Sequence, residues 1–239
     1  MRSLHELLVE AANRQEPDAA SRRHVLAALG IAAAAPVALG ANAALAQVNG
    51  EGKNNNNKKK NRRNKRKKGK QGDIAVLNYA LTLEHLEYAF YRDGLAQFAN
   101  DNDFNGYPVS GSQLRARFLE IRDHERTHVE ALTQTIQGLG GTPVAEACYN
   151  FGYGTNIGTF IDVAQLLENT GVMAYDGAIA SIKSAALQTT GATIATVEAR
   201  HASFLNFING DSPFPDAFDM PKSQDEILAA AGGFIVTCS

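Results

Sequence analysis

From residue 73 onward, hydrophobic residues recur at intervals of three and four positions along most of the chain. This period is typical of amphipathic helices that bury one face. It predicts four long helices, over residues 73–99, 112–138, 159–188 and 192–209. Asp73 is the predicted cap of the first helix, and Ser110 or Ser112 that of the second. The third and fourth are separated by residues 189–191, and a long crossover joins the second to the third. A short helix is predicted near residues 223–231, in a C-terminal tail that is expected to wrap around the bundle of the four long helices.

Two Glu-x-x-His pairs lie in the apolar stripes of the second and fourth predicted helices. They are Glu125 with His128, and Glu198 with His201. Residues three apart lie on the same face of a helix, so each pair directs a carboxylate and an imidazole to one point. A carboxylate buried in an apolar stripe is costly unless it is paired or binds a metal. The two pairs therefore predict a metal site between two helices.

A second repeat lies in the first and third predicted helices, where a glutamate precedes a tyrosine by seven positions. These pairs are Glu84 with Tyr91, and Glu168 with Tyr175. A four-helix di-metal carboxylate site needs one glutamate from each of two further helices, and Glu84 and Glu168 meet that need. The order of glutamate and then Glu-x-x-His occurs twice, which indicates a duplicated helical hairpin.

Other polar residues near these motifs leave alternatives open. Glu87 also lies in an apolar stripe, but only Glu84 repeats the tyrosine spacing, so Glu87 is an additional candidate ligand. Tyr91 and Tyr175 are candidate catalytic residues, as hydrogen-bond or electron donors, and core packing is the alternative. Asp123 and His124 are interpreted as surface residues or as donors outside the ligand set.

The motifs, in this order and spacing, resemble those of the ferritin-like di-iron superfamily, which includes bacterioferritin and rubrerythrin. L-E-x-x-E-x-x-F-Y at 83–91, C-Y-N-F at 148–151 and V-E-A-R-H-A at 197–202 are similar to the exported ferritin-like domain family of desiccation-related and stress-response proteins. The resemblance covers residues 73–239 and implies a ferritin-like four-helix bundle. It implies six metal ligands, with the Glu-x-x-His glutamates as bridges: Glu84, Glu125, His128, Glu168, Glu198 and His201.

Four carboxylates and two imidazoles balance two divalent cations, and these donors favour iron or manganese. The function expected from the resemblance is an exported protein with two iron ions, or manganese, that oxidises Fe(II) or reduces O2 or peroxide in oxidative or desiccation stress. The alternatives are a metal-binding stress protein without catalysis and an envelope interaction module that acts through a basic segment. The oligomeric state is left open, with a homo-oligomer among the alternatives.

The net charge of −2 conceals a division of the chain into a basic and an acidic part. Residues 53–70 contain 11 Lys and Arg and no acidic residue, whereas from Gln71 onward 8 basic residues stand against 20 acidic ones. Residues 47–72 have almost no apolar side chain to bury and are predicted to be a disordered basic linker. The segment 53–70 is either a solvated linker or a binding element for an anionic envelope surface.

Residues 1–46 have the features of a twin-arginine signal peptide. Arg22 and Arg23 precede an apolar stretch that ends at Ala46, where cleavage is expected, and an uncleaved membrane anchor is the alternative. The protein is therefore expected to be exported by the twin-arginine route to the periplasm or the extracellular space. Cys148 and Cys238 form a disulfide or remain unpaired thiols, and an oxidising destination favours the disulfide.

Overall fold

Four long helices dominate the computed structural model, which describes residues 55–238. They are α1 (Asn55–Gln97), α2 (Gly111–Gly138), α3 (Ile157–Ile179) and α4 (Ala185–Ile208). The smaller elements are α5 (Gln224–Ala231), strands β1 (Cys148–Tyr149) and β2 (Ile235–Val236), and 3-10 turns at Asp101–Phe104 and Gly232–Phe234. The predicted all-α fold is confirmed over these residues, and no helix among them has the combined length and apolar character of a membrane span. The predicted signal peptide, residues 1–46, lies outside the described residues.

The long helices are arranged as two hairpins joined by a crossover. α1 packs chiefly on α2 and α3 chiefly on α4, while residues 139–156 connect α2 to α3. α5 packs against α3. This arrangement is the duplicated hairpin that the repeats predict, in which the glutamate-tyrosine helices and the Glu-x-x-His helices face one core.

Short polar side chains begin the helices that follow α1. Ser110, Asn156 and Ser184 each accept a hydrogen bond from the backbone N–H three residues later, at the start of α2, α3 and α4. Ser223 caps α5 and forms a capping box with Glu226, as expected for the predicted short helix. These caps satisfy N–H groups that a helix leaves unpaired at its first turn.

The turn between α3 and α4 lies at residues 180–184, and the predicted break at residues 189–191 is wrong. Ser184 supplies the cap, so α4 begins earlier than expected. Gly191 lies inside α4, where a glycine costs about 1 kcal/mol relative to alanine. Burial of residues such as Leu205 holds the helix on the bundle despite that cost.

Helix α1 begins at Asn55, so the prediction of a disordered linker over residues 47–72 is wrong from Asn55 onward. Lysine and arginine have high helix propensity, and the segment contains no proline to interrupt the helix that follows. The side chains of residues 60–68 are exposed. Asp73, the predicted cap of the first helix, is buried within α1, and its Oδ1 accepts a hydrogen bond of 2.6 Å from the backbone N–H of Lys183.

An aromatic cluster packs α1 against α3 next to the predicted site. The rings of Phe90 and Phe160 stack with their centroids 4.7 Å apart, and Phe118 lies 5.6 Å from Phe160. Gly94 permits this packing, because a Cβ at that position would lie 2.1 Å from the Phe160 ring. These fully buried rings hold the two helices at a fixed separation.

A strand pair and a disulfide fix the C-terminal tail to the crossover. β1 and β2 pair antiparallel, with Cys148 opposite Val236. Cys148 and Cys238 form the predicted disulfide, with their Cα atoms 5.3 Å apart. Gly177 in α3 admits the tail, because a Cβ there would lie 1.8 Å from the carbonyl oxygen of Lys222. The predicted wrap of the tail around the bundle is therefore present.

Candidate metal centre

Each long helix places one glutamate in the centre of the bundle. These fully buried glutamates are Glu84 on α1, Glu125 on α2, Glu168 on α3 and Glu198 on α4. His128 and His201, one turn after the glutamates of α2 and α4, are 9% and 6% exposed. Because every one of these residues falls in the apolar stripe of its helix, helix packing brings the four glutamates and two histidines together in one cluster.

The donor atoms of these residues form two overlapping groups. One group contains Glu84, Glu125, His128 and Glu198, and the other contains Glu125, Glu168, Glu198 and His201. Within each group the donor atoms lie within 4.8 Å of one another. Glu125 and Glu198 belong to both groups, the arrangement expected of carboxylates that lie between two cation positions.

The first group surrounds one imidazole nitrogen with carboxylates. Nδ1 of His128 lies 3.2 Å from Glu84 Oε2, 3.0 Å from Glu125 Oε2 and 3.1 Å from Glu198 Oε1. A single N–H can donate fully to only one of these three oxygens. The nitrogen thus lies among carboxylates of three helices, and its single N–H cannot satisfy all of them.

His201 repeats this arrangement in the second group. Its Nδ1 lies 3.1 Å from Glu168 Oε2, 3.1 Å from Glu125 Oε1 and 3.9 Å from Glu198 Oε2. The nitrogen again faces carboxylates from three helices. A metal ion would displace the proton on this nitrogen, because groups must lose their protons to bind a metal.

Several buried carboxylate oxygens of the cluster have no hydrogen-bond partner, which bears on whether the cluster fits metal ions. Within residues 60–238, Oε1 of Glu125 and both carboxylate oxygens of Glu198 are buried without a hydrogen bond. Nδ1 of His128 lies near Glu198 Oε1 but without the geometry of a hydrogen bond. Buried carboxylate oxygens without partners are costly, and a bound cation removes that cost. The two glutamates shared by both groups thus fit a pair of cations.

Tyr91 and Tyr175 each contact a carboxylate of the cluster. The Tyr91 hydroxyl donates a hydrogen bond of 2.7 Å to Glu168 Oε1, and the Tyr175 hydroxyl donates to Glu84 Oε1. Burial, with the charge of the nearby carboxylates, raises the pKa of both tyrosines well above the usual value. Both hydroxyls are therefore neutral donors that orient carboxylates, and an electron-donor role stays a prediction.

Glu87, the additional candidate, is 3% exposed and lies beside the cluster. It follows Glu84 by three positions, and Gly171 follows Glu168 by three positions in the second repeat. A Cβ at Gly171 would lie 2.9 Å from Glu87 Oε1 and 3.5 Å from Glu198 Oε2. Gly171 therefore leaves room for a fifth carboxylate next to Glu198. The repeat register alone could have indicated this pairing of Glu87 with a glycine.

Burial and charge together set the protonation of the cluster. Burial raises the pKa of Glu84 to about 7. Burial also opposes ionisation of Glu125, but its contacts with His128 and His201 outweigh that effect and lower its pKa to about 2. Burial lowers the pKa of His201, whereas the charge of Glu168 and the contact with Glu125 outweigh it and raise the pKa to about 11. Protonated imidazoles and ionised Glu125 therefore compensate each other at neutral pH.

His124 is an exposed residue that contacts a member of the cluster. Its Nδ1 lies 2.9 Å from Nε2 of His201. The two rings stack with centroids 5.2 Å apart and planes inclined by 12°. The sequence left this residue open as a surface residue or a donor outside the ligand set, because its partner depends on how α2 and α4 pack. In the structure it lies directly behind His201.

The chain is similar to several known proteins. A family model described as a ferritin-like domain matches residues 72–211. Protein rds1 of Schizosaccharomyces pombe is 28% identical over 167 residues, which cover 70% of this chain and 40% of that protein. The chain thus spans less than half the length of this relative. The crystal structure of a conserved hypothetical protein from Mycobacterium tuberculosis aligns with a TM-score of 0.49 and 20% identity, over 63% of this chain and 99% of that one.

Proposed function

The chain belongs to the ferritin-like domain family, and we propose that its buried cluster binds two iron ions, with manganese as the alternative, in an exported oxidoreductase. The observation that carries the proposal is the pair of four-residue groups that share Glu125 and Glu198. Carboxylate oxygens and imidazole nitrogens suit Fe(II) and Mn(II). The proposed reactions are oxidation of Fe(II) and reduction of O2 or peroxide, and the resemblance alone links them to oxidative or desiccation stress.

The proposed roles follow from the two groups. One ion would be held by Glu84 and His128, the other by Glu168 and His201, and both ions by the shared Glu125 and Glu198. When bound, ions of this kind supply one-electron redox chemistry. Tyr91 and Tyr175 keep two of the carboxylates in orientation through their hydrogen bonds. The apolar helix faces around the cluster limit the access of water.

A narrow apolar cleft beside the cluster supports a small substrate. The cleft has a volume of about 30 Å³, and its lining includes Leu77, Leu132, Tyr175 and Ile194. Tyr175 links the cleft to the cluster, because it lines the cleft and its hydroxyl donates to Glu84. A space of this size admits a molecule about as small as water, and its apolar lining favours O2 over the polar peroxide.

Metal content tests the proposal. We expect about two iron or manganese ions per chain in the purified protein, and their loss in Glu125→Ala and in Glu198→Ala. Glu130→Ala replaces an exposed glutamate on α2 and is the matched control, which should keep both ions. Consumption of O2 and of peroxide is then measured on the loaded protein.

Two outcomes separate the alternatives. A wild-type protein that takes up no Fe(II) under anaerobic conditions contradicts the proposed metal binding. A protein that binds metal but turns over neither O2 nor peroxide is a metal-binding protein without catalysis, which was the alternative left open by the sequence.

We further propose export by the twin-arginine route to the periplasm or the extracellular space. The Cys148–Cys238 disulfide supports an oxidising destination, because disulfides persist in oxidising compartments, and Arg22 with Arg23 supports the route. Replacing Arg22 and Arg23 by lysine should retain the protein in the cytoplasm, as measured by cell fractionation. Unchanged export of that variant would contradict the route.

A second candidate function rests on the basic segment, residues 53–70. Residues 60–70 contain eight Lys and Arg, and the side chains of residues 60–68 are exposed along α1. We propose that this charge attaches the protein to anionic lipid head groups of the envelope. Full-length protein should sediment with phosphatidylglycerol vesicles at low salt and dissociate at high salt. A variant with these residues changed to glutamine should not bind, and failure of the wild type to bind at low salt would exclude the proposal.

A further inference from the structure

His124 contacts His201, one of the two histidines of the cluster, on the side of the ring that faces away from the carboxylates. Nδ1 of His201 faces Glu125 and Glu168 at 3.1 Å from each. Nε2, on the opposite side of the ring, lies 2.9 Å from Nδ1 of His124. When Nδ1 of an imidazole binds a metal, its proton is on Nε2. With a metal on Nδ1, Nε2 of His201 would therefore donate the hydrogen bond and Nδ1 of His124 would accept it.

The two halves of the internal repeat differ in whether the histidine has such a partner. Glu125 corresponds to Glu198 and His128 to His201, so His124 corresponds to Val197. A valine side chain has no acceptor to offer. Within residues 60–238, the hydrogen bonds of the His128 ring are made by Nδ1, towards the carboxylates. His128 thus lacks the counterpart of the His124 contact.

A second break of the repeat falls on α3, the helix that carries Glu168. Gly171 stands where the first repeat has Glu87. The Glu87 carboxylate occupies the space that a side chain at Gly171 would fill, next to Glu198 Oε2. The group that contains Glu168 and His201 therefore gains both a nearby carboxylate and a hydrogen-bond partner for its histidine.

We propose that His124 is a positioning residue that makes the two metal positions unequal, so that the first divalent cation binds at Glu168 and His201. The inference rests on the proposed metal binding. A hydrogen bond to the far nitrogen of a ligating histidine fixes the ring and raises its basicity, and its loss costs about 10- to 100-fold in metal affinity. The position of Glu84 and His128 fills second, because its histidine has no such support.

The order of filling is measured on the wild-type protein. Metal-free full-length protein labelled with 15N-histidine is titrated with Zn(II), a diamagnetic probe, and followed by NMR. The first equivalent of Zn(II) should change the 15N chemical shift of His201 Nδ1, while the hydrogen-bonded Nε2–H resonance of His201 remains. The second equivalent should change the ring 15N chemical shifts of His128. If the chemical shifts of His128 change first, or those of both rings change together, the wild-type titration alone overturns the inference.

Two substitutions at one position then test the hydrogen bond itself. His124→Phe keeps a ring that can stack on His201 but offers no acceptor, whereas His124→Asn places an oxygen where Nδ1 lies. In calorimetric titration with Zn(II), His124→Phe should weaken the first step about tenfold or more and leave the second unchanged, and His124→Asn should restore the first step.

A matched control removes another histidine of the bundle. Nε2 of His85 on α1 lies 3.2 Å from the carbonyl oxygen of Val144, outside the cluster. His85→Phe should leave both steps at their wild-type affinities. Equal weakening of both steps in His124→Phe, or no change in either, would refute the positioning role. A wild-type protein that binds no Zn(II) would refute the proposed metal binding, and this inference with it.

Discussion

The hydroxyl of Tyr91 donates a hydrogen bond of 2.7 Å to Oε1 of Glu168, 77 positions later in the chain. In return, the hydroxyl of Tyr175 donates to Oε1 of Glu84. Each tyrosine thus holds the glutamate of the other hairpin, and both contacts cross the bundle between α1 and α3. The duplicated halves of the site therefore stabilise one another.

Replacing Tyr91 by phenylalanine should lower the free energy of unfolding of the metal-free protein by about 1–3 kcal/mol, because the buried carboxylate of Glu168 loses a donor. Urea denaturation measures the change. Tyr88→Phe, at a partly exposed position of the same helix, is the control and should stay within about 0.5 kcal/mol of the wild type. Equal losses in the two variants would show that the hydrogen bond is not the cause.

Gly171→Ala should weaken metal binding even though alanine favours helices. In an ordinary helix interior this change stabilises by about 1 kcal/mol. Here the new Cβ would lie 2.9 Å from Glu87 Oε1, so a buried carboxylate beside the cluster must move. We expect the affinity for Mn(II) to fall about tenfold, measured by calorimetric titration. Gly138→Ala, where a Cβ meets nothing within 4 Å, should bind as the wild type does, and identical affinities in both variants would contradict the prediction.

Removing the disulfide should lower the free energy of unfolding by about 4 kcal/mol, because a long loop of the unfolded chain is no longer closed. Urea denaturation with and without reductant measures this loss. The double variant Cys148→Ser and Cys238→Ser should be insensitive to reductant. Metal content should not change, because neither cysteine belongs to the cluster, and loss of metal on reduction would argue against this separation.

The stability of the metal-free protein should fall as the pH rises from about 6.5 towards about 11. The pKa of His201 is about 11 in the folded protein, where the charge of Glu168 outweighs burial, against an ordinary value of 6.5. Between these values the folded state holds a proton that the unfolded chain has lost, so deprotonation favours unfolding. Thermal unfolding at several pH values above 6.5 measures the trend, and an unchanged melting temperature would contradict it.

Metal binding should show the opposite dependence on pH. A cation displaces the protons that the cluster holds, so its affinity should increase over the same range. Titrations in buffers of different ionisation enthalpy count the protons released. A pH-independent affinity would mean that the imidazoles are not ligands.

The members of the candidate site could be predicted from the sequence because a carboxylate in an apolar stripe is costly unless other groups compensate it. Glu125 and Glu198 interrupt such stripes at the same distance before a histidine, and Glu84 and Glu168 do so at the same distance before a tyrosine. The structure brings these residues into two groups with donor atoms within 4.8 Å. That they bind metal stays a prediction.

Helix ends were less predictable, because local chemistry does not identify the partner of a side chain. Asp73 has the side chain of an N-cap, yet it accepts from the backbone of Lys183, 110 positions away, between α3 and α4. Gly191 looks like a helix terminator but lies within α4, and Ser184 begins that helix. The partner of His124 likewise depends on the packing of two helices. Such contacts arise only when the bundle assembles.

The Cys148–Cys238 bond closes α3, α4 and the tail into a covalent ring that spans 90 positions of the chain. Three donors of the cluster lie inside the ring and three on the open part of the chain, namely Glu168, Glu198 and His201 against Glu84, Glu125 and His128. When the bundle loosens, the donors of the ring remain confined to a small volume, whereas those of the open part can separate freely. The duplicated hairpins thus differ in topology, and reassembly of the centre amounts to docking an open hairpin onto a closed one.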